Sequence, residues 1–230
     1  MAATVIEDHK WHNCEGIYSD RKEAGQVLAS FLKPYCEDDA LVLAIPSGGV
    51  PVGLEISNIL GIHFDLIIIR KIPIPGNTEA GFGAISLEGD IVLDSFWVQR
   101  LGLEKDEIDK LIEPVVREID KRNQLFRSQR PFPSLAEKTV ILVDDGLASG
   151  YTMGVAAEVV SRKKPAKIII AVPTAPASTI EKLGDRVDMI ICLNIREGFS
   201  FAVASAYRQW YDLDRSEVFE LLKSAPWIET

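Results

Sequence analysis

Apolar residues in this chain gather in short runs at residues 40–45, 64–69, 140–143, 167–172 and 187–193, where Asp65, Lys167 and Asp188 are the charged residues. The runs are rich in Val, Ile and Leu and do not alternate with polar residues, which predicts strands covered on both faces of a parallel sheet. Between them the spacing becomes helical. Residues 20–33 read as a helix with Asp20 as cap, Glu23 in the capping-box position, and Leu28, Phe31 and Leu32 on its buried side. Pro51 suits the first turn of a helix reaching about Leu60. Residues 103–128 place Ile108, Leu111, Ile112, Val115, Val116 and Ile119 on one face of a long charged helix, with a kink expected at Pro114. Further helices fall at 152–162 and 177–183. This alternation predicts an α/β fold: a doubly wound, mostly parallel sheet with helices on both faces.

Two stretches break the pattern. Residues 73–96 carry PIPGN, GFGA and LEGD turns between short alternating runs, which predicts a small β-hairpin insertion. Residues 196–230 form an aromatic C-terminal segment with Phe199, Phe201, Tyr207, Trp210, Tyr211, Phe219 and Trp227. The chain of 230 residues needs no second domain, and one domain over 1–230 is the expectation.

The formal charge of −9 argues against general nucleic-acid binding, which depends on Lys and Arg neutralising phosphates. A small phosphorylated ligand remains compatible with it. No apolar stretch approaches the ~18 residues of a membrane span, and the N-terminus MAATVIEDHK lacks a signal-peptide core, so a cytoplasmic protein is expected. Cys14, Cys36 and Cys192 show no paired spacing, which fits reduced thiols. His9, His12 and Cys14 lack a fourth metal ligand at a recognisable spacing, and read as a polar segment.

The chemistry concentrates at residues 140–152, VILVDDGLASGYT. Asp144 and Asp145 stand at the carboxyl end of a predicted strand, where ligands bind in open α/β sheets. Gly146, Ala148, Ser149 and Gly150 then bring backbone amides together before a helix, and the partial positive charge of a helix N-terminus suits a phosphate. A strand followed by an Asx-type turn would use some of the same residues. The ordered pattern over the whole stretch favours a ligand site. A P-loop is excluded, because no Gly-Lys-Ser/Thr occurs.

This stretch resembles the phosphoribosyl pyrophosphate (PRPP) signature of type I phosphoribosyltransferases. The resemblance implies that Asp144 and Asp145 face the ribose hydroxyls and that Ala148, Ser149, Gly150, Tyr151 and Thr152 cradle the 5-phosphate. Two positions depart from common forms: Gly146 stands where an apolar residue is usual, and Ala148 where 6-oxopurine salvage enzymes carry an acid. The second departure argues against hypoxanthine or guanine as acceptor.

By the same resemblance Ser47, Gly48 and Gly49, in the loop after the first core strand, hold pyrophosphate, often through an unusual peptide geometry. Arg70 or Lys71 contacts the pyrophosphate side, with Lys71 assigned to catalysis and Arg70 to binding. Residues 73–96 become a hood that excludes water from the reacting sugar, with Glu79 and the Gly81-Phe82-Gly83 turn as closing contacts. Phe199 and Phe201 are the picks for stacking on the acceptor. The tail REGFSFAVASAYRQWYDL looks similar to a group of predicted phosphoribosyltransferases of undefined acceptor.

The implied reaction transfers the 5-phosphoribosyl group of PRPP to a nitrogen acceptor such as a nucleobase, as in nucleotide salvage, and releases pyrophosphate. Mg²⁺ would be held mainly by PRPP, with Asp144 or Asp145 as a protein ligand, and a homodimer is compatible with the family. Two other classes compete: a catalytically silent PRPP-sensing regulator of the same fold, and a phosphatase using the Asp pair. The latter is weaker because no second Asp stands two positions after a nucleophilic one.

Overall fold

The computed structural model describes residues 2–36, 39–75, 77–198 and 200–227, with only the backbone of 77–80. Two sheets are present: a six-stranded one in the order β1-β9-β8-β7-β2-β3 and a three-stranded one in the order β4-β5-β6.

All pairings in the larger sheet are parallel. Its strands are β1 (Thr4–Ile6), β2 (Leu41–Ala44), β3 (His63–Leu66), β7 (Thr139–Val143), β8 (Lys167–Pro176) and β9 (Met189–Arg196). The apolar runs have the expected cause, since every residue of β2 and β7 is buried. One core packs on each side of the sheet. Side chains alternate across β7, so that Ile141 and Val143 join Leu28, Val52 and Phe64 on one side, while Val140 and Leu142 join Met153, Val159 and Ile180 on the other. The doubly wound, mostly parallel α/β fold is therefore as expected.

Helix α1 (Arg21–Leu32) begins at Asp20, whose side chain accepts from the Glu23 amide at 2.9 Å. Glu23 reaches back to the Ser19 amide, one residue earlier than in a standard capping box. Helix α2 (Gly49–Leu60) holds Pro51 in its first turn. Helices α5 (Tyr151–Ser161), α6 (Ala177–Leu183) and α7 (Arg215–Leu222) complete the layers.

Three expectations need correction. The run at 64–69 is not one strand: β3 ends at Leu66 and β4 (Ile69–Ile74) opens the smaller sheet, because no polar residue or glycine marks the point of departure. Arg70 and Lys71 consequently lie inside a strand rather than at its exit. The insertion is larger than a hairpin, being the antiparallel β4, β5 (Asn77–Ser86) and β6 (Ile91–Leu93). It is followed by α3 (Ser95–Leu101), which Asp94 caps by accepting from the Phe96 amide at 3.0 Å. The long charged helix is α4 (Lys105–Arg122), which continues through Pro114 to a π-helical turn, Asn123–Arg127.

That turn sets Arg127, fully buried, against Asp65 on β3: Nε donates to Oδ1 at 2.7 Å and Nη2 to Oδ2 at 2.8 Å. The remaining donors reach the carbonyls of Arg130 and Pro131, so the buried charge is matched and hydrogen-bonded. This pair anchors the end of α4 beside β3 and thereby the stem of the smaller sheet.

Candidate active site

Strand β7 is flanked by β2 and β8, so Asp144 and Asp145 emerge at the middle of the sheet's carboxyl edge. The Asp145 amide donates to Asp144 Oδ1 at 2.9 Å, turning the chain. Three anchors then fix the loop. The Leu147 amide donates to the Thr174 carbonyl at 3.0 Å, Thr179 Oγ1 to the Ala148 carbonyl at 2.7 Å, and the Tyr207 hydroxyl to the Asp145 carbonyl at 2.6 Å.

The glycines in this loop are there for space. Gly146 has φ +155°, and a Cβ on it would lie 2.5 Å from Val203 Cγ1. Val203 of the tail thus fills the space that a side chain at 146 would need. Gly150 has φ +71°, and its Cβ would lie 2.6 Å from Thr179 Cγ2 on α6. Gly150→Val therefore should act by forcing the loop off α6, not only by crowding a ligand. We expect it to abolish PRPP binding measured by calorimetry; wild-type affinity in a folded variant would remove the loop from the phosphate site.

Residues 148–150 are open to a ligand. Among the described residues nothing accepts from the amides of Ala148, Ser149 or Gly150, and these precede the N-terminus of α5.

The loop after β2 packs directly on the Asp pair. A Cβ on Gly48 would lie 2.1 Å from Asp145 Oδ2, and one on Gly49 2.6 Å from the Val143 carbonyl. The Pro46–Ser47 peptide is cis. Two loops separated by about a hundred residues of chain are thus in contact through glycines, which alone allow the backbones to approach so closely.

Lys71 and Arg70 part company. Side chains alternate along β4. Lys71 lines a cleft of about 730 Å³ together with residues 149–152, Lys182 and Arg186, whereas Arg70 does not line it. Gly81 on β5, paired with Pro73, has no room for a Cβ because Lys71 Cγ would be 2.2 Å away, so the Lys71 side chain reaches along the smaller sheet to Gly81. The Asp pair and Ser47, Gly48 and Gly49 stand outside the cleft wall. Phe199 lies outside the described residues, as does the side chain of Glu79. Phe201 is half-buried in the segment before Val203.

Arg21 is the principal residue that the sequence left unnoticed. It is 7% exposed, its Nε donates to Asp145 Oδ2 at 2.7 Å, and Nη1 donates to the Tyr211 carbonyl at 3.0 Å. Its guanidinium lies 3.9 Å from the centroid of the Trp210 ring, within cation–π range. Tyr207 packs on Trp210 and on the buried Tyr18, with centroids 5.2 Å and 5.8 Å apart. Tyr207, Trp210 and Tyr211 therefore gather round Arg21. A signal existed: Arg21 falls on the same helical stripe as Ala24, Leu28 and Leu32, where a charge has no place unless it is paired.

Burial raises the Asp144 carboxyl well above the usual carboxylate range, and the neighbouring charge of Asp145 adds to this. Burial also raises Asp145, against the lowering effect of Arg21. Burial and the Asp145 charge keep the Tyr207 hydroxyl protonated. Among the described residues no group of three His, Cys, Asp or Glu side chains could hold a metal. The donor set at the sheet edge, one adjacent Asp pair with Asp145 Oδ2 engaged by Arg21, fits a cation that arrives with a phosphorylated substrate.

An acid pair, an amide-lined turn and a second glycine loop stand at the carboxyl edge of a doubly wound sheet, where ligands bind in folds of this class. A family model described as the phosphoribosyl transferase domain matches residues 19–207, and the chain belongs to that family. Two Mycobacterium tuberculosis proteins, from strains CDC 1551 / Oshkosh and ATCC 25618 / H37Rv and provisionally named as phosphoribosyl transferases, are each 31% identical over 209 residues. These span 91% of this chain but 47% of the relatives, so the chain covers about half their length. The crystal structure of the protein TT1426 from Thermus thermophilus matches with a TM-score of 0.78 at 30% identity, over 90% of this chain and 99% of that one. A hypoxanthine phosphoribosyltransferase from Staphylococcus aureus shares the fold, with a TM-score of 0.51 at 13% identity over 95% of this chain and 91% of that one.

Proposed function

We propose that the protein is an Mg²⁺-dependent phosphoribosyltransferase that moves the 5-phosphoribosyl group of PRPP to a nitrogen acceptor, a nucleobase of the salvage type being the leading class. The observation that supports this reading is the close approach of Gly48 to the Asp145 carboxylate, which sets the loop of residues 47–49 against the acid pair that opens the loop after β7. In the reaction the C1–O bond to pyrophosphate breaks as the C1–N bond forms, and the acceptor's proton passes to solvent.

Asp144 and Asp145 would orient the ribose hydroxyls and place negative charge beside a sugar ring that becomes cationic. Residues 148–152 would hold the 5-phosphate, fixing C1 relative to the acceptor. Ser47, Gly48, Gly49 and Lys71 would receive the leaving group. Mg²⁺ bound to PRPP supplies charge neutralisation of pyrophosphate, and Asp144 is the protein carboxylate that Arg21 leaves available. Ala148 in place of an acid supports an acceptor other than a 6-oxopurine. Three cysteines without disulfides fit a reducing compartment, and the reading assigns the enzyme to the cytoplasm. No helix among the described residues is long and apolar enough to cross a membrane.

A second reading, a PRPP sensor without transfer, draws support from the Arg21 ion pair, which occupies one oxygen of Asp145. Phosphorus NMR of PRPP and Mg²⁺ with the protein, with and without a pool of free bases, separates the two. Acceptor-dependent pyrophosphate release establishes the transferase. Perturbed PRPP signals without release in any pool favour the sensor, and unperturbed signals overturn both.

A further inference from the structure

The cleft of about 730 Å³ is larger than the proposed reaction needs. On that reading the acid pair takes the ribose, residues 47–49 and Lys71 the pyrophosphate, and residues 148–152 the 5-phosphate. Of these only Lys71 and residues 149–152 line the cleft, which therefore continues past the phosphate loop without reaching Asp144 and Asp145. Clefts of roughly 300–1,000 Å³ hold whole cofactor-sized ligands, not a single phosphate.

The extension follows one face of α5. Tyr151, Gly154, Val155 and Glu158 line it at helical spacing, so it runs about 10 Å along the helix. Val92 and Leu93 of β6 form another wall, and Lys182, Leu183 and Arg186, from the end of α6 and the turn after it, a third. Contacts fix this cationic end. Leu183 packs against both glycines of the helix start, since a Cβ on Gly150 or on Gly154 would lie 3.3 Å from one of its methyl carbons. A Cβ on Gly154 would also lie 3.6 Å from Arg186 Nη1, which puts the guanidinium one helical turn beyond the phosphate loop, about 6 Å along α5.

The acids in the walls are already engaged. Glu158 accepts from Arg162 Nη2 at 2.8 Å, with Arg186 Nη1 at 3.7 Å, and Asp94 accepts from the amides that begin α3. Lys182 makes no ion pair and no side-chain hydrogen bond among the described residues. Half-buried Tyr151 has no ring partner there, and its hydroxyl has no hydrogen-bond partner. These features select a ligand. Amides at the loop suit one phosphate, Arg186 and Lys182 a second joined to it, and an aromatic ring beside Val92 and Leu93 suits a planar group rather than a further charge.

We propose, on the assignment of residues 148–152 to a 5-phosphate, that the cleft takes a nucleoside joined through a diphosphate to the 5-position of the ribose on the acid pair. The 5-phosphate is then the first phosphate of a diphosphate ester. Lys182 and Arg186 hold the second, and the Tyr151 ring stacks on the base.

The test is calorimetric titration of the full chain with ADP-ribose and with ribose 5-phosphate, for the wild type and for Lys182→Gln/Arg186→Gln. ADP-ribose should bind the wild type about tenfold or more tightly than ribose 5-phosphate, and PRPP should displace it. In the double variant that advantage should vanish while the affinity for ribose 5-phosphate is kept. The variant should melt with the wild type, because both side chains are exposed. Equal affinities in the wild type, an advantage that survives the double substitution, or ADP-ribose that stays bound beside PRPP overturns the proposal and leaves the transferase reading standing. Binding of ADP-ribose that depends on Lys182 and Arg186, in a chain that does not bind PRPP, would sustain the cleft site and remove the transferase reading. Binding of none of the three removes both.

Discussion

Asp145→Asn is expected to lower PRPP-dependent turnover on the order of 10²–10³-fold at saturating substrate while the protein stays folded. The fold should survive because an asparagine oxygen can still accept from Arg21 Nε, now 2.7 Å from Asp145 Oδ2, and the side chain keeps its size against Gly48. The loss is of charge at the place where, on the proposed reading, the sugar develops its own. Steady-state pyrophosphate release measures it, and unchanged turnover would remove Asp145 from the chemistry.

Asp144→Asn separates function from stability. Burial and the Asp145 charge hold the Asp144 carboxyl above its unfolded value. Such an acid gives stability that is fully present below its unfolded pKa, near 3.9, and is lost as pH rises through the folded one. The asparagine variant should therefore be less active yet melt above the wild type at pH 8, with the difference shrinking towards pH 4. A constant difference across that range would show that the carboxyl is not strained in the fold.

Much of the candidate site's geometry was legible because its sequence signals are local. A buried run ending at Asp144, a turn of small residues and the start of α5 are contiguous, and each obeys a rule of short range: no alternation in a covered strand, glycine where φ is positive at Gly150, amides at a helix N-terminus. The loop of Ser47, Gly48 and Gly49 was legible for the same reason. What could not be read is which of these loops touch. The Gly48–Asp145 contact follows from β2 pairing with β7, and parallel pairing leaves no mark on sequence spacing.

The failures have equally specific causes. Ile67 and Ile68 are as buried as the end of β3 before them, so the apolar run at 64–69 hid the passage from one sheet to the other. Helix α3 is short and opens with Ser95, Phe96 and Trp97, residues with no strong helical preference, and only its Asp94 cap announced it. The edge strand β1 has a largely exposed pattern that looks like a polar terminus. Arg127 and Asp65 are fully buried charges 62 positions apart, and nothing in either neighbourhood signals the other.

Arg21 holds the Asp145 carboxylate and the aromatic tail together, and its removal should be among the most damaging single changes. Arg21→Gln leaves the Asp145 carboxylate, 13% exposed, without its cation, and takes the flat guanidinium off Trp210. Breaking a buried pair costs about 3–5 kcal/mol, and for a chain of this size each kcal/mol lowers Tm by about 2–4 °C. The loss should fall at the low end, because Asp145 can take up a proton instead. That proton is the useful signature. Arg21 lowers the Asp145 carboxyl against the stronger effect of burial, so its loss moves the carboxyl higher. The acid limb of the pH–rate profile should then shift to higher pH in Arg21→Gln, with activity recovering partly as pH rises and less of the shift in Arg21→Lys, which keeps the charge but not the fork. An activity loss that is the same at every pH would reduce Arg21 to a packing residue. A shifted limb shows that it acts through Asp145, setting the charge of the group proposed to face the sugar.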